Sequence, residues 1–209
     1  LFLSNREPSL WQMDLYEVAL DGGTPRRITR DGGREGSYST DGRQIVYVRG
    51  FNTIYQDNYA GSANYDIYLV DAAGGAPRRL TETPGNERWP VLSADGKTVY
   101  FTAEEKGVAN LCSMPVSGGG RTQATTYTGL DLQRPCFAPD RKRGVFERGG
   151  RLAWTDVTAA GAPQRDIALV IQSDVRNSGS ESRTITAGGE QANLSSDGST
   201  LVFALRGEL

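Results

Sequence analysis

The segment Gly22-Gly-Thr-Pro-Arg-Arg-Ile-Thr29 returns almost unchanged as Gly74-Gly-Ala-Pro-Arg-Arg-Leu-Thr81. The strand-like segments before them, Asp14-Leu-Tyr-Glu-Val18 and Asp66-Ile-Tyr-Leu-Val70, recur at the same offset. Self-similarity of this kind means that one supersecondary unit is used several times, and that a single unit cannot bury its apolar surface alone. A second phase of the repeat is a small polar residue, Asp and Gly ahead of a β-rich run. It appears as Ser39-Thr-Asp41-Gly42 before Ile45-Val-Tyr-Val48, and as Ser93-Ala-Asp95-Gly96 before Thr98-Val-Tyr-Phe101. A degenerate copy, Ala138-Pro-Asp140-Arg141, precedes Val145-Phe146, and Ser195-Ser-Asp197-Gly198 precedes Leu201-Val-Phe203. The Asp95 to Asp140 spacing suits one propeller blade of roughly 40–45 residues, and the wider spacings imply insertions.

Each unit reads as four antiparallel strands. An Asp-Gly pair between β-rich runs is expected to supply the positive-φ positions of a tight hairpin. Gly-Gly-x-Pro then turns the third strand into the fourth. In Asp66-Ile-Tyr-Leu-Val-Asp71 the alternation puts Ile67 and Leu69 on one face, Tyr68 and Val70 on the other. No helical period runs through the chain, and its 26 glycines fall at turn positions. The fold class expected is all-β, a β-propeller of four-stranded antiparallel blades with about four to five blades present.

The boundaries read as a partial blade over 1–33, blades over about 34–86, 87–132 and 133–171, a linker over 172–190, and a partial blade over 191–209. Leu1-Phe2-Leu3-Ser4 reads as a strand entered at its beginning, and Leu201-Val-Phe-Ala-Leu205 as a strand with no closing turn after it. Start and end fall at nearly the same phase of the repeat, so the expectation is an incomplete part of a larger ring. Open strand edges in such a fragment invite pairing with another chain.

Composition narrows the chemistry. The 23 Lys and Arg against 25 Asp and Glu leave a formal charge of -2, which gives no net basic field for nucleic acid. Histidine is absent, which removes the usual general base of Ser and Cys hydrolases and the commonest metal ligand. Cys112 and Cys136 form no CxxC pattern and read as two buried free thiols, with a disulfide as the alternative. No apolar run reaches the roughly 20 residues of a membrane helix.

These residues resemble the TolB-like propeller repeat, with its Ser-Pro-Asp-Gly-Lys turn, Ile-Tyr strand and closing Arg-Leu-Thr. The Pro of that turn is replaced here by Thr40, Ala94 and Ser196 and kept at Pro139. Toward the C-terminus, Ile167-Ala-Leu-Val-Ile171, Asn193-Leu-Ser-Ser-Asp-Gly198 and Phe203-Ala-Leu-Arg-Gly-Glu-Leu209 are similar to the propeller of tricorn-type serine proteases. In such proteins one or two propellers precede a PDZ module and a serine-peptidase domain. The resemblance implies a non-catalytic accessory role in peptide access or domain docking, with a protein-binding scaffold of the bacterial cell envelope as the alternative. The compartment leans to periplasmic or extracellular on that account.

Candidate sites have competing structural readings. The Asp-Gly turns offer one carboxylate each, without clustered calcium ligands, and no metal or cofactor is expected. Arg26-Arg27 and Arg78-Arg79 would split between opposite strand faces and do not build an anion stripe. No Gly-x-Ser-x-Gly elbow occurs, and Gly179-Ser-Glu-Ser182 has no histidine or obvious lysine partner, so no catalytic residue is assigned. The departure that stands out is the insertion from Gly50 to Asn64 between the second and third strands of its blade. Phe51, Tyr55 and Tyr59 there are the candidate binding residues for a peptide, a protein partner or another domain; a long loop packing its own aromatics is the alternative. That loop, and the connections near Glu82 to Glu87 and Gly129 to Gln133, are expected on one face, opposite the Asp-Gly turns.

Overall fold

A computed structural model describes residues 1–5, 13–51, 59, 61–168, 189–194 and 201–205. The chain divides into two compact units, Leu1–Ala168 and Leu169–Leu209. All the regular structure described is β, in antiparallel sheets whose strands follow chain order.

In the first unit, β1 (Phe2–Ser4), β2 (Asp14–Glu17) and β3 (Arg26–Arg27) form a three-stranded sheet. Three four-stranded sheets follow. The second sheet holds β4 (Gly33–Tyr38), β5 (Gln44–Arg49), β6 (Asp66–Asp71) and β7 (Arg78–Arg79). The third holds β8 (Glu87–Leu92), β9 (Thr98–Glu105), β10 (Val108–Pro115) and β11 (Thr122–Gln123). The fourth holds β12 (Gln133–Phe137), β13 (Arg143–Arg148), β14 (Arg151–Asp156) and β15 (Arg165–Asp166). In the second unit, β16 (Gly189–Leu194) pairs with β17 (Leu201–Leu205). The repeated four-stranded meander is the blade of a β-propeller, as the repeat implied.

Alternation along the strands places the core between sheets. Val46, Val48, Ile67 and Leu69 of the second sheet pack with Val99, Phe101, Cys112 and Met114 of the third. The opposite face of the second sheet sends Ile45, Tyr47 and Val70 against Leu15 of the first. Tyr100 and Leu111 carry the third sheet onto Phe146 and Ala153 of the fourth. A side chain such as Phe101 or Ile67, with no exposed surface, contributes about 1.5–3 kcal/mol when fully buried.

The repeat closes on Thr for a hydrogen-bonding reason. Thr29, Thr81 and Thr125 each accept, through Oγ1, an amide of the strand that precedes the Gly-rich turn: Leu15 at 2.9 Å, Ile67 at 2.9 Å and Leu111 at 3.0 Å. The preceding Arg pairs split as expected. Arg27 and Arg79 turn inward to Asp14 and Asp66, at 2.5 and 2.7 Å. Arg26 and Arg78 reach the next sheet, donating to the carbonyls of Ala72 at 2.5 Å and Val116 at 3.0 Å.

Two expectations are corrected. In the Asp-Gly turns only the glycine takes positive φ, 71° at Gly42 and 69° at Gly96. The Asp acts as an acceptor: Asp41 Oδ1 receives the Ser39 hydroxyl at 2.7 Å and the Arg43 amide at 3.1 Å, and Asp95 repeats this with Ser93 and Lys97. The turn is therefore four residues wide, closed by Ser39 on Gln44 and by Ser93 on Thr98 at 2.8 Å. The cysteines are both free, but only Cys112 is buried; Cys136 is exposed, because its side chain shares a face with the 37% exposed Val145 opposite it. Burial pushes the Cys112 thiol up to about 11.

The first strand of each complete sheet carries a β-bulge that the sequence did not announce. Register shifts fall between Arg34 and Ser37, Arg88 and Val91, and Gln133 and Cys136. Within them Glu35, Trp89 and Arg134 adopt φ of 50°, 51° and 47°, a left-handed conformation uncommon outside glycine. Glu35 then spans two sheets. Its Oε1 accepts from Arg88, at 3.0 Å from Nε and more closely from Nη2, and its Oε2 accepts the Trp89 amide at 2.8 Å.

Candidate interaction face

Three clefts open at equivalent places in the first unit. Each is bordered by a connection between sheets and by the loop joining the second and third strands of the sheet that follows. The first, of about 380 Å3, includes Asp31, Arg34, Arg49 and Phe51. The second, of about 280 Å3, lies among Tyr59, Thr83, Pro84, Gly85, Lys106 and Arg121. The third, of about 350 Å3, lies among Gly107, Leu130, Asp131, Gln133, Glu147 and Gly150. The loops expected on one face thus line the same series of clefts.

The insertion between β5 and β6 is pinned at its root. A Cβ on Gly50 would lie 2.5 Å from the Asn64 carbonyl oxygen and 2.7 Å from the Tyr65 Cα, so the two ends approach as closely as only glycine permits. The Phe51 amide donates to the Ala63 carbonyl at 2.8 Å, and Tyr59 Oη accepts the Ala63 amide at 3.3 Å. Asn64 Nδ2 donates to the carbonyls of Thr83 at 2.8 Å and Gly85 at 3.0 Å, tying the insertion to the next connection. Asn86 continues the tie, accepting the Tyr65 amide at 3.2 Å and donating to Glu104 at 2.8 Å.

The two candidate aromatics that are described, Phe51 and Tyr59, stand at different clefts. Phe51 stands at the rim of the first cleft with 63% of its surface exposed, and Tyr59 borders the second. Tyr55 lies outside the described residues, as does Gly179–Ser182. Beside Phe51, Arg49 pairs with Asp31 at 2.9 Å and lies 4.8 Å from the centroid of the Tyr68 ring.

Sequence reasoning missed Asp66 and Glu87, both of them buried. Asp66 borders the first cleft, and its carboxyl is held above its ordinary range chiefly by burial, against the pull of Arg79. Glu87 has no exposed surface and is pushed up to about 7, chiefly by burial and further by the charge of Asp66. Thr83 Oγ1 donates to Glu87 Oε1, while Oε2 is buried without a partner. Arg121, at 3.8 Å and 30% exposed, is too distant and too hydrated to reverse the shift. No group of three or more His, Cys, Asp or Glu side chains among the described residues could hold a metal ion. Nor is any described helix long and apolar enough to cross a membrane.

Residues 1–160 match the model of the tricorn protease N-terminal beta propeller domain. A tricorn protease homolog of Saccharolobus solfataricus is 26% identical over 126 residues, covering 60% of this chain and 11% of that protein. The Tol-Pal system protein TolB of Nitrosospira multiformis is 31% identical over 130 residues, covering 61% of this chain and 28% of that protein. Among solved structures, the putative TolB from Agrobacterium tumefaciens superposes with a TM-score of 0.62 at 21% identity, covering 77% of this chain and 59% of that one.

Proposed function

The chain belongs to the family of the tricorn protease N-terminal β-propeller domain, and from that premise we propose that it is the propeller module of a longer tricorn-like protease. In this reading it handles peptides or docks neighbouring domains and cleaves nothing itself. The family match over residues 1–160 carries the reading. The clefts lined by loops of unequal length support it, because binding residues concentrate on loops held by a rigid scaffold. The test begins with the gene: a serine-peptidase domain is expected downstream of this segment, and its absence would remove the attribution. The chain alone is expected to show no peptidase activity, and turnover abolished by a serine-directed reagent would overturn that part.

Joint replacement of Phe51, Tyr55 and Tyr59 by Ala is expected to weaken binding of a labelled unfolded peptide by about 1 kcal/mol or more if one aromatic is an anchor. The β-sheet circular dichroism should hardly change, since Phe51 is mostly outside the core. Unchanged affinity in the folded variant would make the insertion a passive loop.

A second reading, a TolB-like scaffold that recruits a protein partner in the bacterial envelope, draws support from the 31% identical TolB relative and the TM-score of 0.62 to a putative TolB. Pull-down with the intact chain separates the two. A stable envelope-protein partner favours the scaffold, and weak binding to unfolded peptides favours the protease module.

A further inference from the structure

We propose that the first cleft is a site for the primary ammonium group of a peptide, received between Asp31 and Asp66. The inference rests on the peptide-handling reading above and names the chemistry of the ligand at one place on the interaction face. It is carried by comparing the same position in three successive blades.

Asp14, Asp66 and Asn110 are equivalent: each directly precedes the residue whose amide is accepted by the closing Thr29, Thr81 or Thr125. In the first sheet Asp14 Oδ1 accepts the Thr29 hydroxyl at 3.0 Å and the Gly32 amide at 3.1 Å. In the third, Asn110 Oδ1 accepts the Thr125 hydroxyl at 2.9 Å and the Tyr127 amide at 2.7 Å. Asp66 departs from both. Its side chain is only 9% exposed, yet Oδ1 is buried without a hydrogen-bond partner. The cause lies in the first strand of the following sheet, where Gly33 and Glu87 share a register position, and Glu87 and Leu132 share a backbone hydrogen bond to the residue before Asp66 or Asn110. That position faces the closing threonine, since a Cβ on Gly33 would lie 2.7 Å from Thr29 Oγ1. Gly33 and Leu132 bring no carboxylate to it. Glu87 does, so Thr81 supports the charge of both Asp66 and Glu87, and a hydroxyl has one proton to give.

Asp66 lines the first cleft, and so does Asp31 on the connection between β3 and β4, whose Oδ1 is likewise buried without a partner. The other oxygen of each is committed: Asp31 Oδ2 to Arg49 at 2.9 Å, and Asp66 Oδ2 to Arg79 at 2.7 Å. What these two carboxylates lack is a donor, and oxygens withheld from water without one are costly. A primary ammonium carries three donors and no acceptor, and its bonds to carboxylates are charge-assisted. Phe51 and Tyr68 give the same cleft apolar surface for the carbon chain that bears the amine. Arg34, also in the lining, is only half-buried, so water screens its repulsion of a cation.

The experiment uses the full chain and an unstructured, lysine-free peptide labelled with fluorescein at its C-terminus, its N-terminus either free or acetylated. Fluorescence anisotropy is expected to show the free peptide binding at least about tenfold more tightly, the scale of a hydrogen bond between charged groups. An acetylated peptide with one internal lysine separates the two sources of the ammonium: affinity like that of the free peptide admits a lysine side chain, and affinity like that of the acetylated one restricts the site to a chain terminus. Asp66→Asn and Asp31→Asn should each remove most of the difference. Asp66→Asn is expected to fold, since the third sheet carries Asn110 at that position. Equal binding of the free and acetylated peptides would overturn this proposal and leave peptide handling intact, and so would a difference that survives either replacement. Should neither peptide bind, peptide handling fails, and glycinamide against N-acetylglycinamide decides the site. Larger shifts of the Asp31 and Phe51 amide resonances with glycinamide sustain it, and equal shifts overturn it.

Discussion

Raising the pH from 5 to 8 is expected to lower the stability of the folded chain by about 2.5 kcal/mol through Glu87 alone. Its pKa rises from 4.5 unfolded to about 7 folded, so between those values the folded state binds more protons than the unfolded state. Stability from this group is complete below the unfolded value and is lost as pH rises through the folded one. Asp66, also raised by burial, acts in the same direction. Asp41, Asp95 and Asp156, which are lowered by hydrogen bonds from Ser39, Ser93 and Thr158, act in the opposite sense, but below the window chosen. Thermal melts across this range should show the decline, and Glu87→Gln should flatten it and raise Tm at pH 8. A Glu87→Gln variant with the wild-type pH profile would show that Glu87 is ionised in the folded chain throughout.

Glu35→Ala is expected to cost about 3 kcal/mol, measured as a fall in the urea midpoint. Its carboxylate and the Arg88 guanidinium are only 15% and 16% exposed, so truncation strands a mostly buried cation and leaves the Trp89 amide without its acceptor. Arg88 stacks on Tyr65 at 4.6 Å and Trp89 at 4.7 Å, which keeps it from swinging freely into water. Glu35→Gln should lose less, because an amide oxygen still accepts from the Trp89 amide. A double-mutant cycle with Arg88→Met should return a coupling of about 1 kcal/mol or more. Independent, additive losses would mean that the two side chains touch without stabilising the sheet pair.

The strands were legible because their constraint is local. Ile67 and Leu69 alternate with Tyr68 and Val70, and each set reaches a different core layer. The Gly-Gly-x-Pro segments fall between third and fourth strands, where Gly22, Gly23, Gly74 and Gly75 all take positive φ. The Asp-Gly turns were located correctly, but their mechanism was not, since the dipeptide looks the same whether Asp shapes the backbone by φ or by accepting amides. The bulges at Glu35, Trp89 and Arg134 left a weaker trace: Pro90 and Pro135 follow two of them and are the only hint that the ladder is interrupted there. Glu87 was invisible. It stands in the polar run Thr83 to Arg88, which reads as surface loop, and its burial depends on contacts from Tyr65, Thr83 and Arg121.

The separate core layers also bear on how the module comes apart. Among the described residues each layer joins adjacent sheets of the first unit, so its cohesion is a chain of nearest-neighbour links and not one undivided interior. Arg26 and Arg78 reinforce successive links at the carbonyls of Ala72 and Val116. Failure of one link therefore need not propagate to the next: a sheet can detach, exchange its amides or meet a protease while its neighbours keep their structure. Damage to one blade is then expected to stay within it, and the tolerance of the module to an altered blade is set at that blade's two faces.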